Sequence, residues 1–174
     1  GSLRAAIASA TGNAATDTIV FDPALFASGA ATITLTSGAL NVHGDGDLDA
    51  FTIVGPGENL LTISGNNASQ IFKADYFISP AVGTSGQPGY VPAVYAANTS
   101  SLTLSGMTLT NGTSAGARDT TGGGAIVSYY SGSLTLDHVV VKNSTSGGGG
   151  GGLFFSGNYG NLIIGNFTFD GNCT

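Results

Sequence analysis

Leu134-Thr-Leu-Asp-His-Val-Val-Val-Lys142, then Asn143-Ser-Thr-Ser146, then Gly151-Gly-Leu-Phe154: this stretch decides the fold, because the chain carries versions of it on either side. Upstream, Leu102-Thr-Leu104 leads to Met107-Thr-Leu109, Asn111-Gly-Thr-Ser114 and Gly123-Gly-Ala-Ile126. Downstream, Leu162-Ile-Ile164 leads to Phe167-Thr-Phe169 and Asn172-Cys-Thr174. Leu102 to Leu134 is 32 positions, Leu134 to Leu162 is 28, and Gly123 to Gly151 is 28. On that spacing Gly151 and Gly152 take the places of Gly123 and Gly124, and Phe154 that of Ile126. A period of this size, built from short alternating strands and glycine-rich turns, is the signature of a solenoid.

The first half carries the same kind of strand. Asp17-Thr-Ile-Val-Phe21, Thr32-Ile-Thr-Leu-Thr36, Leu40-Asn-Val42, Phe51-Thr-Ile-Val54 and Leu61-Thr-Ile63 alternate apolar and polar residues, and Ile71-Phe72 continues the series. Gly, Pro, Asn or Asp closes each run. Strands this short do not make a stable lone hairpin. Stacked, each pairs with its equivalent in the next repeat at about 4.8 Å, and the alternate Ile, Leu, Val and Phe side chains form internal ladders. Leu3, Ala6, Ile7 and Ala10 fall at helical spacing behind Ser2 as N-cap, so residues 3–10 are expected to form a short amphipathic helix that caps the amino end. Residues 75–100 break the rhythm with Pro80, Pro88 and Pro92 and with Tyr76, Phe77, Tyr90 and Tyr95, and are expected to form a long loop able to carry an interaction. The whole of 1–174 reads as a single domain, with 101–174 its clearest repeats.

Composition bounds the function. The 174 residues include 29 glycines, four Lys/Arg and ten Asp/Glu, for a net charge of −6. So few cations make a poor nucleic-acid binder, since counterion release needs clustered positive charge. No run approaches 18 apolar residues, so no membrane insertion by this segment is expected. Cys173 is the sole cysteine and reads as a free thiol.

Gly123-Gly-Ala-Ile126 and Phe169-Asp-Gly-Asn172 resemble the paired GGA(I/L/V) and FxxN signatures of bacterial polymorphic outer membrane proteins. Gly1-Ser-Leu-Arg-Ala-Ala-Ile7, with Asp17-Thr-Ile-Val-Phe21, Ile53-Val-Gly-Pro-Gly57 and Leu61-Thr-Ile-Ser-Gly-Asn66, is similar to the CSLREA-type amino-terminal region of large bacterial surface proteins. Gly1 stands where that family has Cys, and Ala5 where it has Glu. The likeness covers nearly all the chain except residues 75–100. It implies a right-handed, single-stranded parallel β-helix, exported and displayed on or shed from a bacterial cell, with architectural motifs and no catalytic residues.

Candidate chemistry is sparse. His43-Gly-Asp-Gly-Asp-Leu-Asp49 places Asp45, Asp47 and Asp49 at alternate positions, as calcium ligands require, but Pro56 stands where a hand-type loop needs its Glu. A solvated acidic turn is the plainer reading, and calcium is the one cofactor expectation. A polysaccharide lyase needs a base and cations, and a hydrolase needs convergent carboxylates. Neither set stands out. A flat threonine face for ice binding needs a ladder in register, and the outward positions here change to Asn41, Asp137 and Lys142. The sequence is therefore expected to be no enzyme but a structural or adhesive extracellular protein: a β-helical stalk, adhesin segment or filament subunit. Its partners would be copies of itself or the rest of its own longer chain, with glycans or a cell surface as a further partner. The alternative is a carbohydrate-active enzyme or carbohydrate-binding module on the same scaffold.

Overall fold

The computed structural model describes residues 1–10, 16–42, 50–75, 85–88, 90–91, 101–115, 122–129, 132–156 and 160–174. The described chain is mostly β, with parallel sheets and one short α-helix. The strands come in successive rows, each with equivalent members. The first row holds β1 (Asp17–Val20), β2 (Ala31–Thr34) and β3 (Leu40–Asn41), and the second β4 (Phe51–Val54), β5 (Leu61–Ser64) and β6 (Phe72–Asp75). The third holds β7 (Leu102–Thr110), β8 (Thr113–Ser114) and β9 (Ile126–Tyr129). The fourth holds β10 (Leu134–Lys142), β11 (Thr145–Ser146) and β12 (Leu153–Ser156), and the last β13 (Leu162–Ile164) and β14 (Phe167–Asp170).

Pairing runs from row to row, never within a row, and is parallel throughout the described strands. The largest sheet follows β1-β4-β7-β10-β13, with β2 pairing β5, β5 pairing β7 and β14 pairing β10. A second sheet is ordered β12-β9-β6-β3, and β8 pairs β11 in a third. Because the pairing is in register, like sits on like. Phe51, Leu102 and Leu134 align, as do Ile53, Leu104 and Leu136. Ile63, Leu109 and Val141 align across β5, β7 and β10. Every one of these side chains is at most 6% exposed. Burying each fully is worth roughly 1.5–3 kcal/mol, so these columns hold the rows together. Thr52, Thr103 and Thr135 sit between them at the outward positions, where β-branched residues suit a pleated surface.

The helix α1 (Leu3–Ala10) lies against β1 and β3. Ser2 caps it: its Oγ accepts from Ala5 N at 3.2 Å, and its carbonyl accepts from Ala6 N. Ile7 is buried in the core, and Leu3 and Ala10 pack on it. Arg4 ties the helix to the turn before β3 by donating from Nη1 to Ala39 O at 2.7 Å and from Nη2 to Gly38 O. A 3-10 helix at Pro23–Phe26, capped by Asp22, was not foreseen; proline at its start and the Asp22 carboxylate accepting from Ala24 N explain it.

The structure corrects one alignment. Leu153 pairs Ile126, and Phe154 pairs Val127. Gly152 O accepts from Ala125 N and Ile126 N, just as Ala125 O accepts from Ile71 N and Phe72 N. Gly150 and Gly151 therefore stand in the places of Gly123 and Gly124, one position earlier than the repeat spacing implied. Leu153 and Phe155, not Phe154, pack on the core. The physical reason lies in the six-glycine run 147–152: it offers the turn several equivalent residues, so strand alternation sets the register rather than motif spelling. The turn itself demands glycine. A Cβ on Gly124 would run into the carbonyl oxygen of Gly151 in the next row.

Two outcomes test this packing by urea unfolding. Ile53→Ala is expected to lower stability by about 2–5 kcal/mol, while Val54→Ala, on the outward side of the same strand, changes it by less than about 0.5 kcal/mol. Gly124→Ala is expected to cost about 1–3 kcal/mol, because backbone rather than a flexible side chain blocks the new methyl group.

Candidate functional site

The alternation of β7 and β10 fails once in each strand, and that failure builds the one concentration of polar chemistry among the described residues. Leu104 and Met107 both face the core, although they are three apart; Leu136 and Val139 repeat this in the next row. The extra residue turns the chain outward at Ser105-Gly106 and Asp137-His138. Gly106 takes φ +64°, His138 φ +51°, and Asn166 in the last row φ +23°. Gly accepts the left-handed region freely, and Asn and His are among the side chains that enter it most often.

In the preceding row the same place is filled by a whole turn, Gly55-Pro-Gly-Glu-Asn-Leu60, between β4 and β5. Gly55 N donates to Ser105 O at 2.8 Å, Gly57 N to Gly106 O at 2.9 Å, and Thr108 Oγ1 to Glu58 O at 2.8 Å. The turn is thus pinned as a ledge beside the kink. Between ledge and kink runs an open groove of about 480 Å³, lined by residues 55–60 with Ser105, Gly106, Asp137 and His138.

Within it, His138 Nδ1 lies 3.0 Å from Asp137 Oδ2, and Asn166 Nδ2 donates to Asp137 Oδ1 at 3.3 Å. The hydrogen bond from His138 holds the Asp137 carboxyl below the ordinary carboxylate range; partial desolvation opposes this, and Asn166 adds to it. With Nδ1 turned to the carboxylate, Nε2 is the ring's second polar atom. The arrangement can hold an oriented imidazole beside carboxylates and exchange hydrogen bonds with a ligand. The sequence places Asp137 only at an outward strand position and sets His138 only against the distant His43, because nothing in Leu-Thr-Leu-Asp-His-Val marks the extra residue except two apolar positions spaced by three.

The other expected positions are dispersed. Asp45, Asp47 and Asp49 lie outside the described residues, as do Tyr76, Phe77 and Tyr95. Among the described residues no group of three His, Cys, Asp or Glu side chains could hold a metal ion. Tyr90 is half-buried, and its amide donates to Gln87 O at 3.1 Å. Gly123 O accepts from the buried Gln70 Nε2 at 2.7 Å, and Ile126 is fully buried. Asn172 clamps the row above it: Oδ1 accepts from Ser144 N at 3.0 Å and Nδ2 donates to Val141 O at 2.8 Å. Phe169 packs its ring edge-on against Phe167 at 4.3 Å and is 48% exposed. Leu162, Ile163 and Ile164 in the same last row are also exposed, and β13 and β14 pair on one side only, with β10. Compared with family models, curated proteins and solved structures, the chain finds no match in any of the three.

His138→Gly is expected to raise stability by up to about 1 kcal/mol, since it removes a side chain from the left-handed region, and the urea midpoint reads this. Asp137→Asn tests the hydrogen bond between His138 and the Asp137 carboxylate. A lowered folded-state pKa contributes stability above the unfolded value and loses it as pH falls through the folded one. The variant should therefore be less stable than the parent at neutral pH, by a small amount because the pair is exposed, and the gap should close in acid.

Proposed function

We propose that this chain is a right-handed, single-stranded parallel β-helix serving a bacterial surface as a structural and adhesive element: a stalk, adhesin segment or filament subunit. The reading rests on the row-to-row parallel pairing with like residues in register, continued over five members of one sheet. Successive rows in which each strand meets only its equivalents are what a solenoid requires. Such a body is extended along one axis and gives its function to turns and ends rather than to a central cleft. The repeated Gly-Gly turns and the Asn172 clamp fit the resemblance to polymorphic outer membrane proteins, whose shared motifs are architectural.

A further row, from a second copy or from more of the same chain, would add at β13 and β14. Leu162, Ile164, Phe167 and Phe169 align with Leu134, Leu136, Val139 and Val141, which are fully buried by the rows on both sides of them. The last row thus presents core-type side chains and one-sided strands to whatever lies beyond. The occupant we propose is another row of the same kind, from a second copy or from the rest of a longer chain. No catalytic role is proposed.

Electron microscopy of the purified chain at increasing concentration tests the reading. Rods that lengthen end to end are expected, with diffraction near 4.8 Å along the rod. Ile164→Asp with Phe169→Asp should stop the lengthening without changing the β-type circular dichroism. Particles that stay single at every concentration would remove the filament role, and a flat or globular outline would remove the β-helix with it.

A further inference from the structure

From the groove between the ledge and the kink, we infer that this protein binds an uncharged, hydroxyl-rich saccharide, with Glu58, Asp137 and His138 as the polar contacts and Pro56 and Leu60 as the apolar wall. The inference supplies a ligand for the adhesive part of the proposed role and rests on that reading only for its context; the stacked rows stand without it.

The argument begins with conformation. Asn or Gly serves the left-handed position in the rows on either side, and His138 is held there at φ +51° with its side chain 59% exposed. Nothing in the core depends on this ring. The left-handed residue sets the ring at the groove rather than in the core. The ring is also oriented: Asn166 Nδ2 donates to Asp137 Oδ1, and Asp137 Oδ2 lies 3.0 Å from His138 Nδ1. The facing ledge is fixed by three hydrogen bonds to the third row, so the groove is formed before any ligand arrives and little ordering opposes binding.

The chemistry of the lining selects the ligand. Two carboxylates are acceptors, so the ligand must bring several donors in a small space, and the imidazole adds a further polar contact. The lining holds two carboxylates and no Lys or Arg, which disfavours phosphates, sulfates and uronic acids by repulsion. A pyranose supplies hydroxyl donors around its rim and a C–H face for Pro56 and the 39%-exposed Leu60. A groove of about 480 Å³ that stays open on one side suits one or two sugar units of a longer glycan.

The test is nuclear magnetic resonance on the whole chain, following the His138 ring and the amides of residues 55–60 while a panel of neutral sugars is added: glucose, galactose, mannose, N-acetylglucosamine and their disaccharides, with glucuronate and galacturonate as charged controls. At least one neutral sugar is expected to shift these signals saturably, and its uronate counterpart to bind more weakly. His138→Gly, with its fold checked by the urea midpoint, and Glu58→Gln are expected to weaken binding about tenfold or more. No response to any neutral sugar, shifts confined to other surfaces, tighter binding of a uronate, or unchanged affinity in His138→Gly would each overturn the inference. A failure here leaves end-to-end growth of rods untouched, so the two readings fail separately.

Discussion

One constraint governs the described structure: each strand must meet its own equivalent, in register, in the next row. Parallel pairing places residue on residue, so an inward Leu meets an inward Leu and an outward Thr meets a Thr. A slip of one position would send a whole column of Ile, Leu and Val to the solvent face. With so few charged side chains, the chain has little other means of fixing its arrangement. Register is therefore enforced by burial, and the hydrogen bonds between rows follow from it.

Turns carry the same constraint into the backbone. Gly124 approaches the Gly151 carbonyl too closely for any side chain. Asn111, Asn143 and Gly171 take the left-handed region at the ends of β7, β10 and β14. Asn172, Ser144 and Gln70 then satisfy backbone groups that short strands leave behind at corners. The interior is thus largely apolar in its columns, with Ser128 as a fully buried exception in β9, and polar at the corners that require a partner.

Much of this was legible beforehand, because period-two alternation in Leu102-Thr-Leu104, Phe51-Thr-Ile-Val54 and Leu61-Thr-Ile63 is a direct record of which side each residue faces. The helix over 3–10 was legible from its spacing and from Ser2. The register of Leu153-Phe154 was not, since a run of identical glycines carries no positional information and only the pairing resolves it. The groove escaped notice for a related reason. Gly55-Pro-Gly57 reads as a turn and Asp137-His138 as part of a strand, and nothing in the one-dimensional order says that these segments, some eighty positions apart, sit side by side. Row-to-row pairing alone brings them together.

The ledge has a consequence of its own. Between Val54 and Leu61 the second row spends six residues where the third row, between Ser105 and Met107, spends Gly106 alone, yet Thr62 still meets Thr108 and Ile63 still meets Leu109. The lattice absorbs the difference in length without moving any neighbour. Segments at this corner differ in length while the wall behind them keeps its register, although Gly55 and Gly106, backbone against backbone, leave no room for a side chain. Diversity of surface and constancy of core are here separate properties of one chain, which gives variation a place to accumulate without endangering folding.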